Sequence, residues 1–393
     1  MREKTFWGNR GIALMMVMVF TFILLIIGAT FLRLATLERI SADKSIHLSQ
    51  SFYLAEAGLE RGKNWLNLTD SPPVSAVNPF GDDPQSLGDG TYMVTITPLS
   101  TTQYEISSTG SFGNPVVAKT LKSIMQVQSI FSYAAFGDEG VTMRSNSYTD
   151  SYNSQNGWYG GANVMANGDI ATNAITTAPD YAISIRDNAW VNGDAFVGPG
   201  GDIYSAISVA DTSLITGTPS VLPTVQELPP ITAPTGLTDK GAVDLDGNLT
   251  INSSGQYSSI NLRNNSILTL DGNITLYVTG SLRLNNNSQL VITSGSDITV
   301  YLAGDFYQES NTAVNNVTKD PTKLTVYGVD TADDVIWYSN SEFYGALYAR
   351  NANILINSNA QIYGSIIGNR ITLDSNTKIH YDEALATSEW GPG

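Results

Sequence analysis

The chain has 393 residues, 42% of them hydrophobic and 14% charged, with 35 Gly and 15 Pro. That composition excludes a disordered or collagen-like chain and supplies apolar material for more than one packed core. Lys and Arg number 20 against 36 Asp and Glu, a net charge of −16 that repels phosphate backbones and argues against nucleic acid as a partner. Cysteine is absent, and the two histidines, His47 and His380, lie far apart. Disulfides, thiolate chemistry and a multi-His metal site are thereby excluded.

Residues 1–11, MREKTFWGNRG, are basic, with Arg2, Lys4 and Arg10 outweighing Glu3. Ile12 to Phe31 follows as 20 residues without a charge, about 30 Å as a helix, the thickness of a bilayer's hydrocarbon core. Basic residues ahead of the span place the N-terminus inside and the bulk of the chain outside. A plain signal anchor accounts for the same run. A cleaved secretory signal fits poorly, because the run is long and no small-x-small site follows directly. From Arg33 to Leu68 there is no proline. Apolar residues recur at Leu34, Leu37, Ile40, Ile46, Leu48, Phe52, Leu54, Ala55 and Leu59, mostly three or four apart, which marks one helix face. The spacing predicts one long helix over 12–68, membrane-buried in its first half and amphipathic in its second. Gly28 and Gly58 are expected to soften it, and Asp70-Ser71-Pro72-Pro73 to end it.

Arg10-Gly11-Ile12-Ala13-Leu14, the apolar run, Leu37-Glu38-Arg39 and Ala55-Glu56-Ala57-Gly58-Leu59-Glu60 together resemble the N-terminal region of PilX-type minor pilins of type IV pilus systems. The resemblance covers residues 8–68 and is silent about the rest. It implies that a prepilin peptidase at the cytoplasmic face of the bacterial inner membrane cuts after Gly11, leaving Ile12 as the new N-terminus. It further implies that the helix then packs with other pilins and pilus assembly proteins, with Met16, Glu38 and Glu56 as filament-packing positions. In major pilins the fifth residue after the cut is usually a Glu that pairs with a neighbouring subunit's N-terminal amine. Here that residue is Met16, which cannot make the pair. The resemblance therefore points to a tip or priming position, with a sparse place along the filament, or retention in the membrane, as the alternative. A type II secretion minor pseudopilin shares the same helix logic.

Residues 69–128 read as a small pilin-like antiparallel sheet. Thr91–Thr97 alternates and ends at Pro98, Tyr104–Ser108 is a second strand, and Val116–Gln128 supplies a third, with Lys119–Met125 ambiguous between strand and helix. From residue 129 charge thins out and Gly, Asn, Ser, Thr and aliphatics dominate. A glycine followed by a small or acidic residue and then an apolar one recurs at Gly168, Gly193, Gly280, Gly304, Gly345 and Gly364. Including Gly328, the glycines from 280 onward are 24, 24, 17 and 19 residues apart, and Asp246-Gly247-Asn248-Leu249-Thr250 returns at 271–275. Short alternating strands lie between them. Such a period with Asn-rich corners (Asn264-Asn265, Asn285 to Asn287, Asn315-Asn316, Asn357 to Asn359) predicts a right-handed parallel β-helix over 129–393. A β-sandwich of short strands is the simpler alternative. The Pro-rich stretch near 219–234 reads as an excursion or linker interrupting the rungs. The fold class is thus α+β and membrane-anchored: long helix, small antiparallel sheet, then a mainly-β solenoid.

Catalysis in such a solenoid needs paired carboxylates, or a carboxylate beside Arg or Lys, on one strand face. Asp169, Asp194 and Asp305 each follow a repeat glycine, which suggests stacking at a turn, and His380 reads as structural; an enzyme is not expected, nor a cofactor. Calcium is weighed at Asp244 and Asp246 or at Asp330, Asp333 and Asp334, but neither turn has the full loop spacing or a distal Glu. Trp158-Tyr159, Trp190, Tyr301, Tyr307, Trp337-Tyr338, Tyr344 and Tyr348 could form a stripe for a surface polysaccharide or protein partner, or stack in the core. The sequence predicts a minor pilin whose enlarged solenoid head is displayed from the inner membrane into the periplasm and then outside the cell. A membrane-anchored carbohydrate-active or carbohydrate-binding β-helix protein is the alternative.

Overall fold

The computed structural model describes residues 8–68, 73, 75–99, 103–126 and 129–387. Its contacts divide the chain into two units, Met1–Val127 and Gln128–Gly393.

In the first unit, α1 (Gly8–Leu68) runs unbroken for 61 residues, about 90 Å at 1.5 Å per residue. It starts four residues ahead of the expected position, and most of the expected stop lies outside the described residues. From Leu14 to Ile40 every residue is exposed, and this part of the helix is long and apolar enough to cross a membrane. From Ser51 the pattern changes. Ser51, Leu54, Ala55, Gly58, Gly62 and Leu66 are buried, three or four apart on one face. On that face lies an antiparallel sheet of β1 (Gln85–Leu87), β2 (Gly90–Pro98), β3 (Gln103–Phe112) and β4 (Val117–Gln126), in that order. β1 is a short fourth strand not foreseen, turned onto β2 through Gly88-Asp89, and the ambiguous 119–125 stretch is strand. Alternation along β2 and β3 buries Tyr92, Val94, Ile96, Tyr104 and Ile106. Gly58 does not interrupt the helix. A Cβ there would sit 2.3 Å from Ser108 Oγ and 2.7 Å from a Tyr92 ring carbon, so its missing side chain is what lets the sheet approach the helix backbone.

The second unit is a parallel solenoid with three ladders of short strands, the architecture of a right-handed β-helix. On one ladder Ala242–Leu245, Ser259–Leu262, Leu282–Leu284, Phe306–Gln308 and Asp334–Trp337 pair in succession, followed by parts of Glu342–Ile356 and Gln361–Leu373. The inward positions stay in register, so that Ile260, Leu282, Phe306, Val335, Ile354, Ile371, Val141 and Ile183 form one buried column. Each such side chain contributes about 1.5–3 kcal/mol of apolar burial. Trp337, Phe306 and Phe343 thicken the interior with ring centroids 5.2–6.1 Å apart.

Stacking does not stop at the C-terminal rung. Gln361–Leu373 pairs with Ala135–Met143, and Lys378–Asp382 with Tyr148–Tyr152; Ile183–Ile185 and Ile207–Val209 follow. In space the rungs therefore run from 242 to 382 and then from 135 to 221, a cyclic permutation of chain order. The Pro-rich segment makes the return journey. After Pro219–Val221 pairs with Ala195–Val197, Leu222, Leu228 and Ile231 pack over the outward aromatics Tyr301, Tyr327 and Tyr348. Tyr348 Oη donates to Pro229 O at 2.6 Å and Arg350 Nη1 to Leu228 O at 3.0 Å. The segment reaches the far end where Asp239 bridges Gln256. It is a packed connection, not a loose linker.

At one corner the chain turns through Asn265, Asn287, Asn311, Asn340, Asn359 and Asn376, all left-handed, a conformation asparagine adopts more readily than most residues. Each of their N–H groups donates to a corner carbonyl of the next rung at 2.8–3.1 Å. The expected corners at 264–265, 285–287 and 357–359 belong to this ladder. Asn315 does not: it is buried, and its amide donates to Asp320 O and Tyr344 O. The repeat glycines sit where rungs touch; a Cβ on Gly304, for example, would lie 2.6 Å from the Gly280 carbonyl carbon.

Candidate functional site

Gly11 and Ile12 are helical residues of α1 whose side chains fall outside the described residues. Met16, Glu38 and Glu56 all lie on its exposed surface. The calcium candidates are otherwise engaged. Asp244 meets Arg263 at 2.5 and 3.0 Å and accepts from Asn261 at 2.8 Å. The Arg263 bonds, then that of Asn261, hold its carboxyl below the usual range. Asp246 lies 3.8 Å from the same guanidinium. Asp330 receives both prongs of Arg350, at 2.9 and 2.7 Å. Asp333 and Asp334 use backbone groups to join rungs, to Asn353 N and Asp305 Oδ1. Among the described residues no group of three or more His, Asp or Glu side chains is placed to hold a metal ion.

All three acids after repeat glycines, Asp169, Asp194 and Asp305, accept a backbone N–H from the next rung. Asp169 Oδ1 accepts from Asp194 N at 2.7 Å, and Asp194 Oδ1 from Thr218 N at 2.6 Å. Burial pushes the Asp169 carboxyl up, against the downward pull of the Asp194 N–H bond. His380, 2% exposed, faces Asp150, 1% exposed, at 2.5 Å between Nδ1 and Oδ1. Tyr159 donates to the other Asp150 oxygen at 2.6 Å and lies 3.8 Å from the His380 ring. Tyr363 and Tyr344 continue this covered stack. The pair joins residues 230 positions apart and pins the loop carrying Tyr159; no open face is left for a substrate. Beside it Asp382 Oδ1 accepts from Ser154 N at 2.8 Å and Ala384 N at 3.2 Å. Burial pushes that carboxyl up, and Asp382 Oδ2 and the Tyr152 hydroxyl lie buried without a hydrogen-bond partner among the described residues.

The aromatic residues do not form one stripe. Trp337 points inward, Tyr301 and Tyr348 lie under the returning connection, and Tyr344 lies in the covered stack. Trp158 and Trp190 remain exposed, at 68% and 45%. Trp158 has Lys319 Nζ 5.5 Å from its ring centre. Trp190 belongs to a strip of outward positions on one ladder. Lys378, Tyr148, Trp190 and Leu214 are consecutive Cα partners across four rungs, and Leu214 is 48% exposed. The Tyr148 and Trp190 rings meet edge to face at 5.8 Å. Beside them Asn192 Nδ2 donates to Tyr148 Oη at 3.3 Å and Thr216 Oγ1 to Asn192 Oδ1 at 3.1 Å. Sequence reading singled out Trp190 alone. Aligning the left-handed corners Asn376, Asn146 and Asn188 would have found its neighbours, because Lys378, Tyr148 and Trp190 each stand two residues further on.

A family model described as a domain of unknown function, DUF7305, matches residues 223–388, the returning connection and the rungs that follow it in sequence. Among curated proteins nothing matches. Solved structures with some likeness include an ice-binding protein from the Antarctic ascomycete Antarctomyces psychrotrophicus, 18% identical over 64% of this chain and 95% of that one, with TM-score 0.32. An ice-binding protein domain from Shewanella frigidimarina is 14% identical over 64% and 95%, with TM-score 0.33. The competence-associated pilin ComZ from Thermus thermophilus is 12% identical over 88% and 95%, with TM-score 0.26.

Proposed function

We propose that the chain is a membrane-anchored, non-catalytic protein that presents a β-solenoid as a carbohydrate-binding surface on the outer side of the membrane. The observation that carries the anchoring is the contrast along α1: from Leu14 to Leu32 an uncharged apolar helix is exposed on every side, while from Ser51 one face of the same helix is covered by a sheet. A bare apolar span of this length is stable only in lipid or among other apolar helices. The solenoid beyond it is filled with side chains and its candidate acids are engaged in ion pairs or rung bonds, so its work is done on its surface. Fractionation tests this. The full chain should stay with membranes through carbonate extraction, and external protease should reach the solenoid in spheroplasts. Release by carbonate, or protection from protease, refutes the proposal.

A second reading, a minor pilin of a type IV pilus, is favoured by the sheet sitting on the small-residue face Ser51, Ala55, Gly58 and Gly62 while the helix ahead of it stays bare. On that reading prepilin peptidase cuts between Gly11 and Ile12, the partners are other pilins and assembly proteins, and the protein moves from the inner membrane into filaments. Mass spectrometry of the N-terminus, with and without the peptidase, in membrane and sheared-filament fractions decides it. An uncleaved Met1 form confined to membranes removes the pilin reading and leaves the anchored binder. Loss of secretion instead of motility in a deletion mutant would mark a type II secretion pseudopilin.

A further inference from the structure

We infer that the strip of Lys378, Tyr148, Trp190 and Leu214, with Asn192 and Thr216 alongside, is the binding site on this solenoid, and that its ligand is an uncharged polysaccharide whose sugar rings present flat C–H faces. The inference rests on the carbohydrate-binding reading above and gives it an address.

Four features carry it. First, burial sets this strip apart from Tyr301, Tyr344, Tyr348 and Trp337, all under 5% exposed, whereas Trp190 and Leu214 stand at 45% and 48%; the exposed Trp158 and Tyr204 lie outside this ladder. An indole held open on a strand ladder presents a flat apolar face with an N–H at its edge. Second, polar groups flank the rings at the height of the sheet. The Asn192 amide and Thr216 hydroxyl form a short chain ending on Tyr148 Oη, and both groups keep further donor and acceptor capacity. An apolar platform edged by amide and hydroxyl groups matches a sugar ring, which has C–H faces and a rim of hydroxyls. It does not match a lipid tail, which has no rim, or a phosphate, which needs cations. Third, the shape is linear. Consecutive rungs lie about 4.8 Å apart, so the four side chains from Lys378 to Leu214 span about 14 Å along the solenoid, a track for several linked rings instead of a pocket for one. Fourth, charge does not favour a polyanion: the strip offers one cation, Lys378, in a chain that carries −16 overall, too little positive charge to select an acidic polymer over a neutral one.

The test uses the full chain in nanodiscs, with a soluble β-1,4-linked glucan as the neutral probe and polygalacturonate as the anionic one, read by tryptophan fluorescence and by retardation in glycan-containing gels. Binding of the neutral glucan is expected, with at least a tenfold loss in Trp190→Ala and partial recovery in Trp190→Phe. Trp158→Ala, which removes an exposed tryptophan outside the strip, should bind as the unmodified chain does. Because Trp190 is half in solvent, far-ultraviolet circular dichroism and the melting temperature should show the fold intact in the variants. Glucan binding undiminished by Trp190→Ala overturns the strip while leaving the carbohydrate-binding reading in place. Preference for polygalacturonate overturns the uncharged ligand. Absence of binding to both glycans overturns the inference, and the membrane fractionation then decides independently whether the anchored-protein reading survives.

Discussion

Replacing Gly193 by alanine puts the rung geometry to its hardest test. Gly193 is stacked between Gly168 and Gly217, and a Cβ on it would lie 2.5 Å from Asp169 Oδ1, 2.7 Å from the Gly168 carbonyl carbon and 2.8 Å from Asp169 N. Ordinary contact begins at 3.4 Å, so the shortfall is 0.6–0.9 Å (3.4 − 2.8 and 3.4 − 2.5), and two of the three atoms are backbone. They cannot rotate away; the rung has to lift. Lifting stretches the bond from Asp194 N to Asp169 Oδ1, now 2.7 Å, and that from Gly168 N to Asn192 O, now 2.9 Å. Overpacking of this kind costs about 1–3 kcal/mol, and a weakened hydrogen bond to a charged acceptor about 1.5–3 kcal/mol. Because one displacement causes both, about 3 kcal/mol is the expected total. For a unit of this size that lowers the melting temperature by roughly 6–12 °C. Calorimetry of the full chain, following the solenoid transition, reads it directly. Gly295→Asn is the control: that glycine is left-handed, and a Cβ on it would meet nothing within 4 Å, so the change should cost under about 1 kcal/mol. If Gly193→Ala melts with the unmodified chain, the rungs do not approach this closely and the register is wrong.

Other consequences can be checked on the same protein. Asp382→Asn keeps the oxygen that accepts from Ser154 N and Ala384 N and removes a charge whose burial raises the carboxyl's folded-state pKa. A raised folded pKa means the folded state holds its proton longer than the unfolded one, so the native acid loses stability as pH rises through that value. The variant should therefore be the more stable at pH 7, and the advantage should vanish as pH falls to about 4, the ordinary carboxyl range. Denaturation midpoints against pH measure this, and a less stable variant at neutral pH contradicts it. Tyr348→Phe removes the hydroxyl that donates to Pro229 O and should cost about 1–3 kcal/mol, since that carbonyl is left without its donor. Amide exchange across 222–240 should speed up while the inner rungs keep their protection; unchanged exchange there would mean that the connection is held by other contacts.

Much of the fold could be read along the chain because its signals are local. A 3.6-residue period wrote α1, two-residue alternation wrote β2 and β3, and glycine and asparagine at rung spacing wrote the solenoid. What escaped was non-local. Nothing near Ala135 announces that it pairs with Ile366, so the permuted rung order was not legible, and neither was the path of the proline-rich segment that the permutation requires. The aromatics illustrate the same limit. Tyr301 and Trp190 both point out of their ladders, but only the placement of residues 222–231 decides that the first is covered and the second is not. The strip around Trp190 draws on residues 148, 190, 214 and 378, which come together through corner geometry and not through sequence proximity.

The permutation also imposes a timetable on synthesis. Ala135 and its rung leave the ribosome early, yet the strand they lie against, around Ile366, is 231 positions later (366 − 135). Until the last rungs emerge, the early ones expose one unpaired edge, and closing so long a loop makes the final step slow. The rungs of 135–221 and those from 242 onward can each stack as they are made, so what waits for the C-terminal rungs is the seam that joins the two half-stacks.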